Sequence, residues 1–188
     1  MPITIARVVA IVGVILAAVL IMVAHRRRPE LGASEIALSV YFTVPTRATM
    51  VCAYAGIMAA LLSTAFVLTM DMHATALVTA VACCVGAVLL IPVVATTQRH
   101  ATVARSEVTK RTHRYAAAAA FVAVGVAMTV SACAAIAEAN MLVAVLGFVG
   151  AVLVIRVLRS KPGAAHGLRQ KLTLAILGLW ILAITIAG

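Results

Sequence analysis

Between Arg47 and Arg99 the chain carries a single charged side chain, Asp71, in otherwise almost unbroken apolar sequence. No water-facing surface can be made from such a stretch, and its apolar residues come as blocks, without an amphipathic period. The pattern repeats along all 188 residues, of which 65% are apolar and 11% charged; soluble domains average about 25% charged. A mean hydropathy of +1.18 leaves too little polar surface to cover a soluble core. The sequence therefore predicts an integral membrane protein.

A membrane-spanning helix needs about 20 apolar residues, with a range of roughly 17 to 25. Six blocks qualify, at about 3–24, 48–70, 74–96, 115–137, 141–158 and 172–187. The last is the shortest, at 16 residues. The first block is followed by His25-Arg26-Arg27-Arg28. A secretory signal carries its positive charge ahead of the apolar region, so this block is read as a retained span. The expectation is an all-α, polytopic six-transmembrane-helix bundle, with residues 1–188 forming one transmembrane domain.

Charge placement orients the bundle. All but Arg7 of the fifteen Lys and Arg lie between spans one and two, three and four, or five and six, or at the edges of those segments. Positive loops stay cytoplasmic, so those three segments are expected inside and both termini outside. The net charge of +10 then reads as topology control, with anionic lipid headgroups as counter-ions and no role for nucleic acid.

Two short turns should face outward. Met70-Asp71-Met72-His73 and Glu138-Ala139-Asn140 supply side chains that cap exposed backbone groups. A minority reading gives Met70, Asp71, Met72 and His73 to an outer-face copper site, since thioethers and imidazole suit that metal. Residues 28–47 are long for a loop and half apolar. They are read as an interfacial segment on the inner membrane surface, with Tyr41 and Phe42 at headgroup level.

Catalytic signatures are missing: there is no GxSxG elbow, phosphate-cradling glycine loop or HExxH. Apart from their ends, the spans lack the ionisable residues that mark ion-coupled pathways. Glu35, His113 and His166 share the inner side, but read more simply as charge partners and membrane-edge anchors. Cys52, Cys83, Cys84 and Cys133 have no metal-ligand spacing and read as packing residues. A non-enzyme without cofactors is expected.

Small residues recur four apart at Gly13/Ala17, Gly56/Ala60, Ala82/Gly86, Ala119/Ala123 and Gly147/Ala151. Such pairs let helices approach closely in lipid. Ala116, Ala119, Ala120 and Ala123 are read as a smooth face that docks a partner protein, in a membrane complex or a homo-oligomer.

Several short motifs resemble the bacterial six-helix membrane family known as domain of unknown function 998. They are Arg28-Pro29-Glu30, Leu38-Ser39-Val40-Tyr41-Phe42, His113, Phe121, Gly167-Leu168-Arg169-Gln170-Lys171 and Trp180. The sequence departs from that pattern in its dense basic loops and in Lys171, where arginine is expected. The resemblance implies a six-helix fold and points to Ser39, Tyr41 and His113; it brings no established biochemical role.

The leading functional expectation is a non-catalytic accessory or assembly subunit of a larger membrane complex in the bacterial plasma (inner) membrane. The alternative, from a different class, is a binder or transporter of a lipid or small hydrophobic ligand. Its site would use Glu35, Ser39, Tyr41 and His113 at the inner leaflet.

Overall fold

The computed structural model describes residues 2–31, 36–70, 73–97, 106–160 and 165–187. Six helices account for nearly all of them: α1 (Pro2–Arg27), α2 (Arg47–Thr69), α3 (Ala74–Ala95), α4 (Glu107–Ala137), α5 (Met141–Arg159) and α6 (His166–Ala187). Each is long and apolar enough to cross a membrane, and no strand occurs among the described residues. The chain is a multi-pass membrane protein. One 3-10 turn, Leu38–Phe42, lies between α1 and α2.

Each helix packs mainly on its neighbours in sequence, and α6 returns to touch α1 and α2, so the bundle closes into a ring. Glycine sets the tightest approaches. A Cβ on Gly13 would lie 2.6 Å from the carbonyl oxygen of Gly56, and one on Gly56 would lie 2.8 Å from that of Gly13. The two small-residue pairs expected on α1 and α2 thus face one another, with Ala17 and Ala60 completing the contact. Gly147 of α5 sits equally close to α4, where a Cβ would come within 2.5 Å of the Met128 carbonyl oxygen. Close backbone contact replaces the hydrophobic effect as the adhesive between helices in lipid.

Buried hydroxyls do not disturb this packing. Thr64, Thr79, Thr173 and Thr185 each donate to the carbonyl four residues back, at 2.7–2.8 Å. Trp180, fully buried, donates from its indole nitrogen to Ser131 Oγ at 2.9 Å and ties α6 to α4.

Two helices extend beyond the apolar blocks. α4 starts at Glu107, not near residue 115, because Ser106 caps it by accepting from the Thr109 N–H at 3.2 Å. Glu107 sits in its first turn, where a carboxylate is favoured, and pairs with Lys110 at 2.8 Å. α6 starts at His166, so the span expected to be short has 22 residues. The expected alanine face is also reassigned. Ala116, Ala120 and Ala123 are buried inside the bundle, the last two near Gly86 of α3, and only Ala119 is exposed. A helix ring of this size needs smooth surfaces for its own closure.

Candidate functional site

The helix ends that flank the expected basic loops meet at one end of the bundle. Arg47, at the start of α2, donates to Thr97 Oγ1 just after α3 at 3.2 Å. Arg28, after α1, pairs with Glu30 and donates to Thr43 Oγ1 at 3.2 Å. Arg99, Arg105 and Lys161 lie outside the described residues.

The turn before α2 does not lie on the outside of the bundle. Leu38, Tyr41 and Phe42 are at most 2% exposed. The turn is a plug pushed into the basic end, because three apolar side chains gain more from the helix ends than from headgroup water. Phe42 packs edge-on against Tyr54 with ring centroids 4.9 Å apart. The Tyr41 hydroxyl donates to the Leu31 carbonyl at 3.1 Å. His25 packs on the Tyr41 ring at 4.7 Å, and Lys171 Nζ stands 5.4 Å from its centroid, within cation–π range. Burial, and then the charge of Glu30, raises the Tyr41 phenol above its ordinary pKa.

α6 holds the plug in place. Gly167 passes so close to the chain before the plug that a Cβ there would lie 2.2 Å from the Ile36 carbonyl oxygen. The Leu38 N–H donates to Gln170 Oε1 at 3.2 Å. That orientation turns the Gln170 amide nitrogen toward His166 Nε2, 3.2 Å away. The imidazole must accept there, so Nδ1 carries its proton and donates to Ser160 Oγ at 2.6 Å. Ser160 in turn donates to the Val157 carbonyl at 2.7 Å. A directed chain of hydrogen bonds therefore links the plug, α6 and the end of α5.

Behind the plug lies a narrow cleft, ≈ 720 Å³ only when the open solvent at its mouth is included, bounded by α2, α3, α4 and α6. Ser39, His113, Gln170 and Thr173 line it toward the basic end, while Leu61, Val124 and Leu177 line it deeper along their helices. Phe121 also lines it. His113 is positioned by the end of α3: its Nδ1 lies 3.2 Å from the Val93 carbonyl oxygen and 3.2 Å from Thr96 Oγ1. A carbonyl only accepts, so Nδ1 is protonated and donates to a carbonyl in the last turn of α3 that the Thr96 hydroxyl also approaches, at 3.3 Å. Leu38, Ile57, Leu174 and Leu177 form a shared wall between this cleft and a groove of ≈ 1260 Å³ between α1 and α6, bordered by Lys171.

Of the expected ligand residues, Ser39 and His113 thus line one cleft, Tyr41 belongs to the plug beside it, and Glu35 lies outside the described residues. His166 does not pair with His113 in acid–base geometry; each is held by its own hydrogen bonds. Gln170 and Thr173 were missed, although Gln170 belongs to a motif quoted for its resemblance.

At the opposite end, α2 ends at Thr69 and α3 begins at Ala74, which leaves four residues between them. Asp71 and Met72 lie outside the described residues, and no group of three His, Cys, Asp or Glu converges among the described ones. Asn140 caps α5 by accepting from the Val143 N–H at 3.3 Å. Of the cysteines, Cys83 alone is buried in the core.

No family model matches this chain, and no curated protein or solved structure matches it.

Proposed function

We propose that the chain is a non-catalytic protein of the bacterial plasma membrane that binds a lipid or small hydrophobic ligand in the cleft behind the plug. One observation carries this reading: a cleft that is polar at its basic end, at Ser39, His113, Gln170 and Thr173, and apolar along its depth. That lining suits an amphiphile with its head at the plug and its tail toward the bundle centre. The basic end is oriented to the cytoplasm by the charge asymmetry of the loops, which puts the head in the inner leaflet. The groove between α1 and α6 offers a lipid-side approach through the Leu38, Ile57, Leu174 and Leu177 wall.

Three of the four alanines assigned to a docking face pack inside the bundle, so a subunit role would need another surface.

The test is mass spectrometry of the protein extracted in mild detergent from its own membrane. A defined amphiphile should remain bound at near one per chain. Ala117→Phe, which fills the cleft, and His113→Ala, which removes a polar group from it, should each lose that ligand while thermal unfolding stays cooperative. A wild-type chain with no retained amphiphile, or an Ala117→Phe variant that keeps it, overturns the reading.

A further inference from the structure

A second site lies away from the cleft, where the end of α5 meets the start of α6. Val152, Ile155, Arg156 and Arg159 follow one another at i, i+3, i+4 and i+7, so they share one face of α5. Arg169 of α6 converges on that face, and together with Ser160 these residues border a shallow, open depression at the bundle surface. Val152 and Ile155 are about half exposed, at 51% and 50%.

Basic residues at a helix C-terminus complement its dipole, and that accounts for Arg156 and Arg159 singly. It does not account for the third guanidinium, which comes from the first turn of a different helix, where the dipole disfavours a cation. None of the three has a carboxylate partner among the described residues; the carboxylates of Glu30 and Glu107 are paired with Arg28 and Lys110. Ser160, whose hydroxyl donates to Val157 and accepts from His166, is neutral and does not balance the charge. Three like charges around one space call for an anion.

We infer that Arg156, Arg159 and Arg169 form a binding site for the phosphate headgroup of an anionic membrane phospholipid, with an acyl chain lying along Val152 and Ile155. Guanidinium groups bind phosphate through paired N–H donors, which favours arginine over lysine at such a place. Basic pockets between membrane helices are suited to headgroups that carry more than one phosphate. Cardiolipin, with two phosphates, therefore fits three arginines better than phosphatidylglycerol, with one. The apolar stripe leading away from the arginines along α5 selects a lipid over free phosphate. The site shares no residue with the cleft.

Delipidated full-length protein in neutral detergent, titrated by native mass spectrometry with cardiolipin, phosphatidylglycerol, phosphatidylcholine or inorganic phosphate, tests this. Cardiolipin should bind at least tenfold more tightly than phosphatidylcholine, with phosphatidylglycerol between them. Arg156→Gln, Arg159→Gln and Arg169→Gln combined should remove that preference. The triple control Arg26→Gln, Arg111→Gln, Arg114→Gln, which removes the same charge elsewhere, should keep it. If the first triple variant does not fold, Arg169→Gln alone should weaken cardiolipin binding several-fold. Equal loss in both triple variants would reveal general electrostatics and overturn the site. So would inorganic phosphate competing as well as cardiolipin, since the acyl chain would then contribute nothing.

Discussion

The backbone N–H of Leu38 and the side-chain oxygen of Gln170 are 3.2 Å apart in space and 132 residues apart in sequence. This bond joins the plug to the helix that clamps it, and Leu38 is only 2% exposed. Gln170→Ala leaves the Leu38 N–H without its acceptor and His166 Nε2 without its donor. A buried polar group left unsatisfied costs about 1–3 kcal/mol. Thermal unfolding in detergent should show a loss of that size, and Gln170→Glu, which keeps the acceptor, should lose less. A Gln170→Ala variant as stable as wild type would mean that the plug is held by its apolar side chains alone.

Two glycines of α5 should respond differently to the same added methyl group. A Cβ on Gly147 meets the backbone carbonyl oxygen of Met128 at 2.5 Å and cannot be accommodated without moving α5 from α4. A Cβ on Gly150 meets the sulfur and terminal methyl of the Met128 side chain, which can rotate away. Gly147→Ala should destabilise by about 1–3 kcal/mol, as overpacking does. Gly150→Ala should cost clearly less. Equal losses in urea or thermal unfolding would contradict this.

Trp180 is the only tryptophan, and it is fully buried against Ser131. Ser131→Ala removes the acceptor of its indole N–H, so intrinsic fluorescence should shift to the blue. Stability should fall by about 1–3 kcal/mol because the donor stays buried. An unchanged spectrum would show that the indole does not depend on that hydroxyl.

The raised phenol of Tyr41 makes a signed prediction at alkaline pH. Burial comes first among its causes, and the charge of Glu30 adds to it. The neutral phenol is the form favoured in the folded plug, so its contribution is full below the unfolded tyrosine pKa of about 10. That contribution is lost as pH rises through the higher folded value. Tyr41→Phe should lower stability near neutral pH by about 0.5–1.5 kcal/mol, through loss of its hydrogen bond to Leu31. It should also make the alkaline decline shallower than in wild type. An unaltered slope would place the alkaline sensitivity in other groups.

Much of this arrangement is legible in the sequence, and the misses have identifiable causes. Apolar blocks mark all six helices because lipid forces backbone groups to bond within each segment. They say little about where a helix continues into water. The eight residues of α4 ahead of Tyr115 follow from the Ser106 cap and Glu107, a local signal that hydropathy does not weigh. The first turn of α6 has no such signal; it exists because Gly167 and Gln170 pack on the plug. Tyr41 and Phe42 were expected at headgroup level because an aromatic pair beside a basic segment looks alike whether it lies on a membrane or under helix ends. The motifs around Leu38–Phe42 and Gly167–Lys171 are far apart in sequence, yet Ile36 meets Gly167, Leu38 meets Gln170 and Tyr41 meets Lys171. Ser39 and His113 were picked out by the resemblance, His113 also for its imidazole, whereas Gln170 was quoted in the same resemblance without a role, since an amide beside arginines and lysine attracts little notice.

The distance between plug and clamp also has a consequence in time. Ribosomes add about 5–20 residues per second, so the 132 residues that separate Leu38 from Gln170 take roughly 7–26 s to make. Through that interval Leu38, Tyr41 and Phe42 have helix ends to gather on but no α6 to fix them. The basic end of the bundle therefore cannot acquire its final shape until α6 is made, and an arrest between α5 and α6 would leave its apolar turn exposed to whatever waits at the membrane surface.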